Sequence, residues 1–211
     1  EKPPAPAAAC APAVLPVTTM DPIEQSSSPL AGRMPAEPAE TAVPRLTAAL
    51  HARLSSLLSD PIELADIEHP QCATPQFHWH PRYQQYVLRM NVTDGRGTGE
   101  ISVIIRPTAG EEHQNCPDEG YADDCEMRSA ADGAVVRAEQ EILDRLRNQT
   151  VTVYRRDRTT IQVFTTNGEG RQPDPAATRL PSPPTVRRDQ PLLTVEGASV
   201  LAGDPALTLY P

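Results

Sequence analysis

The sequence lacks most features that mark an enzyme or a nucleic-acid-binding protein. Its 211 residues contain no Gly-x-Ser-x-Gly motif, P-loop, Rossmann glycine fingerprint or His-Glu-x-x-His pair, which are the local signatures of common hydrolases and nucleotide-binding enzymes. Positive charge is also scarce, because the net charge is −9 and Lys2 is the only lysine. Nucleic-acid binding depends on neutralising phosphates with basic residues, so no nucleic-acid partner is expected. We expect a protein that is not an enzyme and uses no cofactor.

Long apolar runs are missing as well. No stretch is long enough to cross a membrane, so we expect membrane contact only through an anchor at or beyond the N-terminus. Only 38% of the residues are hydrophobic and 24 are proline, which leaves parts of the chain unable to bury enough surface to fold. Residues 1–40 are therefore predicted to be a disordered Pro/Ala/Ser-rich linker. Residues 41–211 are predicted to form a single α+β domain with a Pro-rich surface segment at 167–191.

Cysteine is rare, with four residues in the chain. Cys116 and Cys125 bracket a polar segment, which indicates a local disulfide, a metal-binding pair or two free thiols. A disulfide would close a ring of about ten residues and remove about 2.5–3 kcal/mol of denatured-chain entropy, and it would imply an oxidising compartment. Cys10 and Cys72 have no obvious partners except each other. Cys10 also follows three alanines, a pattern typical of a bacterial lipidation site, so a lipoprotein is a second interpretation.

The central region, residues 83–166, holds short segments in which apolar and polar side chains alternate. Alternation places apolar side chains on one face of a strand and polar side chains on the other. The apolar face of the first two segments consists of Tyr86, Leu88, Met90, Val92, Ile101, Val103 and Ile105. Turn signals at 94–95, 132–133 and 156–158 divide the region into three β-hairpins. We therefore expect an antiparallel sheet of about five to six strands.

Two further segments have helical periodicity. Leucines recur along residues 43–59 at the spacing of one helix face, with Thr41 as the expected cap and Pro44 in the first turn. A shorter pattern at 192–201 predicts a second helix capped by Thr194. Both helices are expected to pack on one face of the sheet. Residues 134–149 are ambiguous, because they begin like a strand and either continue as one or break into a short helix near Glu139.

One histidine pair suggests a metal site. His78 and His80 would share a face if this segment is extended, and His113 lies close to the second hairpin in sequence. Imidazole is a common ligand for zinc, copper and nickel. A metal-binding protein or metal-dependent enzyme that uses these residues is therefore one functional alternative.

Several short motifs resemble a known group of proteins. They are the pair Cys116 and Cys125, the segments 151–158 and 161–164, and the segments 191–196 and 202–205 near the C-terminus. This pattern is similar to exported proteins and lipoproteins of Streptomyces and related actinobacteria. The resemblance implies a location outside the cell or on the outer face of the cytoplasmic membrane. It also suggests, by analogy, a role such as that of a lipoprotein that damps an envelope-stress sensor kinase.

These observations lead to a functional prediction. The chain is expected to be a non-enzymatic binding or regulatory module of the cell envelope, tethered by its N-terminal linker, with an envelope protein or sensor as its partner. The polar side chains of the sheet would form the binding face: Arg89, Ser102, Arg106 and Gln162. A structural accessory subunit of a larger envelope assembly is a further alternative.

Overall fold

The structure, a computed structural model, describes residues 34–58, 61–108, 115–116, 124–170 and 185–211. Within these residues, eight strands form one sheet, two α-helices pack on one side of it, and two short strands form a separate ribbon. The predicted α+β class is confirmed. The predicted number of strands was too low, and the main sheet has eight.

All neighbouring strands of the main sheet are antiparallel. The strands are β1 (Glu63–Asp66), β2 (His78–His80), β3 (Gln85–Asp94), β4 (Gly97–Pro107), β5 (Asp124–Ser129), β6 (Val135–Leu143), β7 (Leu146–Tyr154) and β8 (Thr159–Thr166). Their order across the sheet is β1-β3-β4-β8-β7-β6-β5, and β2 also pairs with β3. The sequence underestimated the sheet at this edge. Ile62, Leu64 and Ile67 indicated one possible short edge strand, which is β1, but β1 and β2 have only four and three residues and so show little alternation.

The three predicted hairpins are confirmed as β3–β4, β5–β6 and β7–β8. In the first, Asp94 pairs with Gly97, so Gly95 and Arg96 form a two-residue turn. Gly97 has a positive φ of 123°, and a Cβ atom there would lie 2.3 Å from the carbonyl oxygen of Arg187. Glycine is therefore required at this position both for the backbone conformation and for the close approach of the later chain.

The ambiguous region 134–149 is a strand hairpin. Strand β6 continues through Glu139 to Leu143, and β7 begins at Leu146, so the expected alternative of a short helix near Glu139 is wrong. The alternation decides this outcome, because Val136 and Ala138 are buried while the residues between them face the other side of the sheet.

Helix α1 (Ala39–Leu57) is the predicted leucine-striped helix. It begins after Pro38 rather than at a Thr41 cap, and it ends at Leu57 rather than at residue 59. The additional N-terminal turn is stabilised by packing, because Ala42 and Val43 are both buried. The expectation that Pro44 lies in the first turn is therefore wrong, since Pro44 is the sixth helical residue.

The C-terminal part of the chain follows the predicted pattern. Helix α2 (Val195–Ala202) is capped by Thr194, whose hydroxyl accepts a hydrogen bond from the Gly197 amide at 3.1 Å. A 3-10 turn, Pro205–Leu207, comes after it. Strands β9 (Gly168–Glu169) and β10 (Thr185–Val186) pair with each other, and so join the two described ends of the predicted Pro-rich segment.

The core lies between the two helices and one face of the sheet. The α1 stripe of Leu46, Leu50 and Leu54 is completely buried. Helix α2 packs on β7 and β8. The sheet residues that share this core are those predicted from alternation, including Met90 and Ile101.

The disulfide prediction is confirmed. Cys116 and Cys125 are bonded, with their Cα atoms 5.9 Å apart, so the alternatives of free thiols and of a metal-binding pair are wrong. Cys72 is also disulfide-bonded, and Cys10 lies outside the described residues. Residues 1–33 of the predicted linker also lie outside them, whereas Ala36 already contacts the domain through a hydrogen bond to Leu209 of 3.0 Å.

Candidate functional site

The face of the sheet opposite the helices carries the predicted binding residues, and we call it the polar face. Arg89 of β3 pairs with Ser102 of β4, and Gln162 of β8 pairs with Ile104 of β4. Since residues 102, 104 and 106 point in the same direction along a strand, Arg89, Ser102, Arg106 and Gln162 share one face. The structure therefore brings all four residues together on three neighbouring strands.

The polar face is less exposed than its name suggests. Ser102 is 9% exposed, and the other three predicted residues are half-buried. Arg89 is engaged by Glu100, which accepts hydrogen bonds from its Nε and Nη2 atoms at 3.0 and 2.8 Å. Arg89 is therefore a fixed part of the surface, held in position by the neighbouring strand.

Arg106 differs from the other arginines of this face. Arg137 faces Glu139 at 3.2 Å and Arg89 faces Glu100, whereas the described part of the chain gives Arg106 no ion pair. Burial raises the pKa of the nearby Tyr154 phenol, while the positive charges of Arg137 and Arg106 oppose that increase. Among the described residues of this face, Arg106 is therefore an arginine whose charge no carboxylate neutralises.

Sequence reasoning missed the apolar members of the polar face. Phe164 pairs with Ser102, and Ile104 pairs with Gln162, so both lie among the predicted polar residues. Both are half-buried. The same alternation that identified Gln162 would have found Phe164, which lies two residues further along β8. The face therefore combines an arginine, an amide and an aromatic ring rather than polar groups alone.

The predicted metal ligands are placed differently from one another. His78 is buried in β2, with its Nε2 atom 4.0 Å from a carboxylate oxygen of Asp66 and its ring 4.2 Å from that of His69. His80 is half-buried on the same strand, and His113 lies outside the described residues. In the described ranges, no group of three or more His, Cys, Asp or Glu residues is placed to hold a metal ion.

Two half-buried histidines make stability depend on pH. Burial lowers the pKa of His51 and of His80 below the ordinary value of 6.5, although Glu68 opposes the effect at His80. As the pH falls below 6.5, the unfolded chain binds protons before the folded domain does, so the free energy of unfolding decreases. We expect urea denaturation to show lower stability at about pH 5.5 than at about pH 7.5.

The histidine variants provide the check on this pH dependence. In the double variant His51→Gln and His80→Gln, the loss of stability between these two pH values should be smaller, because two groups that favour the unfolded state on protonation are gone. An unchanged loss in the double variant would show that other groups cause the acid sensitivity.

By its fold and surface, the chain is an α+β protein with helices on one face of an antiparallel sheet and a patterned, partly polar face on the other. None of the described helices has the length and apolar character needed to cross a membrane. No protein-family model, curated protein or solved structure matches the chain. The resemblance to exported actinobacterial proteins therefore stays a prediction.

Proposed function

We propose that this domain is a non-catalytic binding or regulatory module that works outside the cytoplasm and recognises another cell-envelope protein, such as a sensor. The observation that carries the proposal is the placement of Arg89, Ser102, Arg106 and Gln162 on one face of three adjacent strands. Strands of a packed sheet hold their side chains in fixed positions. The domain therefore loses less conformational entropy when a partner binds to this face than it would if binding ordered a flexible loop.

The chemistry of the polar face favours a protein partner. Arginine and aromatic residues are enriched at the centres of protein interfaces, and here Arg106 and Phe164 lie on adjacent strands, with Gln162 between them on β8. Arg106 would pair with a carboxylate of the partner, Phe164 would contact an apolar side chain, and the Gln162 amide would donate and accept hydrogen bonds.

The disulfides support the proposed compartment. Disulfides persist in oxidising environments and are rare in the reducing cytosol, and here Cys116, Cys125 and Cys72 are all bonded. We propose that the domain lies outside the cell or on the outer face of the cytoplasmic membrane. In this proposal the N-terminal residues act as the tether, which an upstream anchor would attach to the membrane.

Site-specific photo-crosslinking tests the proposed binding face. The full chain, carrying benzoylphenylalanine in place of Gln162, is expressed in the cell that produces it. We expect one cross-linked envelope protein, and we expect Arg106→Glu to reduce its yield at least about tenfold, because reversing an interface charge leaves the partner's carboxylate facing another carboxylate.

Two controls make this experiment specific. Arg96→Glu makes the same charge change at an exposed turn position and should leave the cross-link intact. Benzoylphenylalanine at the exposed residue Glu63 of β1 should give no such product. Equal yields from positions 63 and 162, or a cross-link that is insensitive to Arg106→Glu, would contradict the proposed binding face.

A further inference from the structure

A groove lies on the helix-bearing side of the sheet, next to α2. Helix α2 packs on β7 and β8, while β6 and β5 continue the sheet beyond it. We call this depression the α2 groove; β6 forms its floor, α2 forms one wall and β5 forms the other. The floor consists of three small apolar side chains and one amide: Ala134, Val136, Ala138 and Gln140.

The part of the α2 groove beside Ala134 and Val136, which we call the lower part, is mainly apolar. It encloses about 380 Å³. Val136 and Val153 line it from the sheet, and Val200 of α2 lines it from the helix. Val200 is 41% exposed, so its side chain offers apolar contact surface to a ligand in the groove. This part of the groove would accept an aliphatic side chain.

The upper part of the α2 groove, beside Ala138 and Gln140, combines apolar and acidic side chains. It encloses about 350 Å³. Asp124 and Glu126 line it from β5, and Glu196 lines it from the first turn of α2. Gln149 also contributes, and its Nε2 atom donates a hydrogen bond to the Leu193 carbonyl at 3.2 Å, which fixes the chain that leads into α2.

The arginines that line the groove are already engaged by the protein. Arg128 reaches from β5 across the groove to donate a hydrogen bond to the Ser199 hydroxyl. Arg155 donates to the Asp204 carbonyl at 3.0 Å and faces the Asp157 carboxylate at 3.7 Å. The Ser199 hydroxyl is neutral, so Arg128 keeps its positive charge. The lining carboxylates nevertheless outnumber the two lining arginines, which makes the groove complementary to a cationic group; they are Asp124, Glu126, Asp132 and Glu196.

We propose that the α2 groove binds an extended segment of a partner protein that carries an aliphatic side chain and at least one basic side chain. The aliphatic side chain enters the lower part, and the basic side chain pairs with Asp124, Glu126 or Glu196 in the upper part. From Ala134 to Gln140 the floor extends about 20 Å at about 3.3 Å per residue, so it matches a segment of about seven residues. This inference is independent of the polar face, because it concerns the opposite side of the sheet.

The test uses a fluorescein-labelled octapeptide of sequence Leu-Ser-Leu-Ser-Arg-Ser-Arg-Ser, in which alternate residues share a face and so present leucine and then arginine to the groove. It is titrated with the full chain and followed by fluorescence anisotropy. We expect saturable binding, which Glu126→Arg and Val200→Asp each weaken at least about tenfold. Both residues are exposed or partly exposed, so these variants should fold. A matched octapeptide with glutamate in place of arginine should not bind.

Two control variants locate the binding site. Glu63→Arg makes the same charge change as Glu126→Arg but at the opposite edge of the sheet, and it should leave the affinity unchanged, as should Arg106→Glu on the polar face. An affinity that falls equally with Glu63→Arg would show non-specific charge attraction and overturn the proposal. Binding that survives both groove substitutions but is lost when alternate peptide amides are N-methylated would place the peptide on the outer edge of β5 and also overturn it.

Discussion

Replacing Arg188 by methionine is expected to lower the free energy of unfolding by about 3–5 kcal/mol, because it leaves a buried carboxylate without its partner. The Arg188 side chain is 6% exposed, the Asp94 side chain is 10% exposed, and their nearest atoms lie 3.2 Å apart. The Nε atom of Arg188 also donates to the Gln190 carbonyl at 2.7 Å. This ion pair joins the chain that follows β10 to the end of the β3–β4 hairpin.

Urea denaturation of Arg188→Met is the measurement, and the neighbouring residue provides the control. Arg187 is 53% exposed and pairs with Glu169 at 3.1 Å, and an exposed pair of this kind contributes about 0–1 kcal/mol. Arg187→Met should therefore have a small effect. Combining Arg188→Met with Asp94→Asn should recover part of the lost stability, because the second change removes the unpaired charge. Equal losses at positions 187 and 188 would contradict the burial of the pair.

The Arg188 pair shows which part of the fold the sequence could not predict. Asp94 was correctly placed in a turn because an Asp-Gly sequence favours hairpins. Its partner is 94 residues away along the chain, and it follows residues whose proline content indicated only an extended surface segment. No local pattern connects two such positions. The turn was therefore predictable, and the contact that closes it was not.

The sheet shows the same division between local and long-range information. Alternation identified β3, β4, β8 and the turn-flanking parts of the other two hairpins, because a face that packs on a core must be apolar at every second residue. It left the rest of β6 and the start of β7 ambiguous. It missed the extent of the β1–β2 edge, where the strands are too short to show a period. It also could not provide the order β4-β8-β7-β6-β5, since pairing between β4 and β8 joins segments that are far apart in sequence.

The two candidate binding surfaces differ for the same reason. The polar face could be predicted residue by residue. Ser102 and Gln162 each lie between two apolar residues of their own strand, and alternation then places them on the other face. The α2 groove could not be predicted, because it depends on where α2 lies across the sheet. Glu126 and Glu196 come from segments with no shared pattern, and only the strand order places them on the two walls of one groove.

The packing of α1 on the sheet is what distinguishes the apolar core face of the sheet from the polar face, and Leu50→Ala tests it. Leu50 is completely buried in the core, so its truncation removes apolar contacts and leaves a cavity. We expect the free energy of unfolding to decrease by about 2–5 kcal/mol, as measured by urea denaturation. Leu57→Ala is the same chemical change on the same helix at a partly buried position, and it should have a clearly smaller effect, because less apolar surface returns to water.

The comparison of Leu50 with Leu57 separates packing from helix propensity. Both substitutions place alanine in α1, and alanine is the better helix former, so propensity alone predicts that neither destabilises the protein. A large loss at Leu50 and a small one at Leu57 is the result expected if the leucine stripe holds α1 against the sheet. Similar small losses at both positions would mean that α1 does not cover the sheet. The distinction between a buried apolar face and a polar binding face would then have no basis.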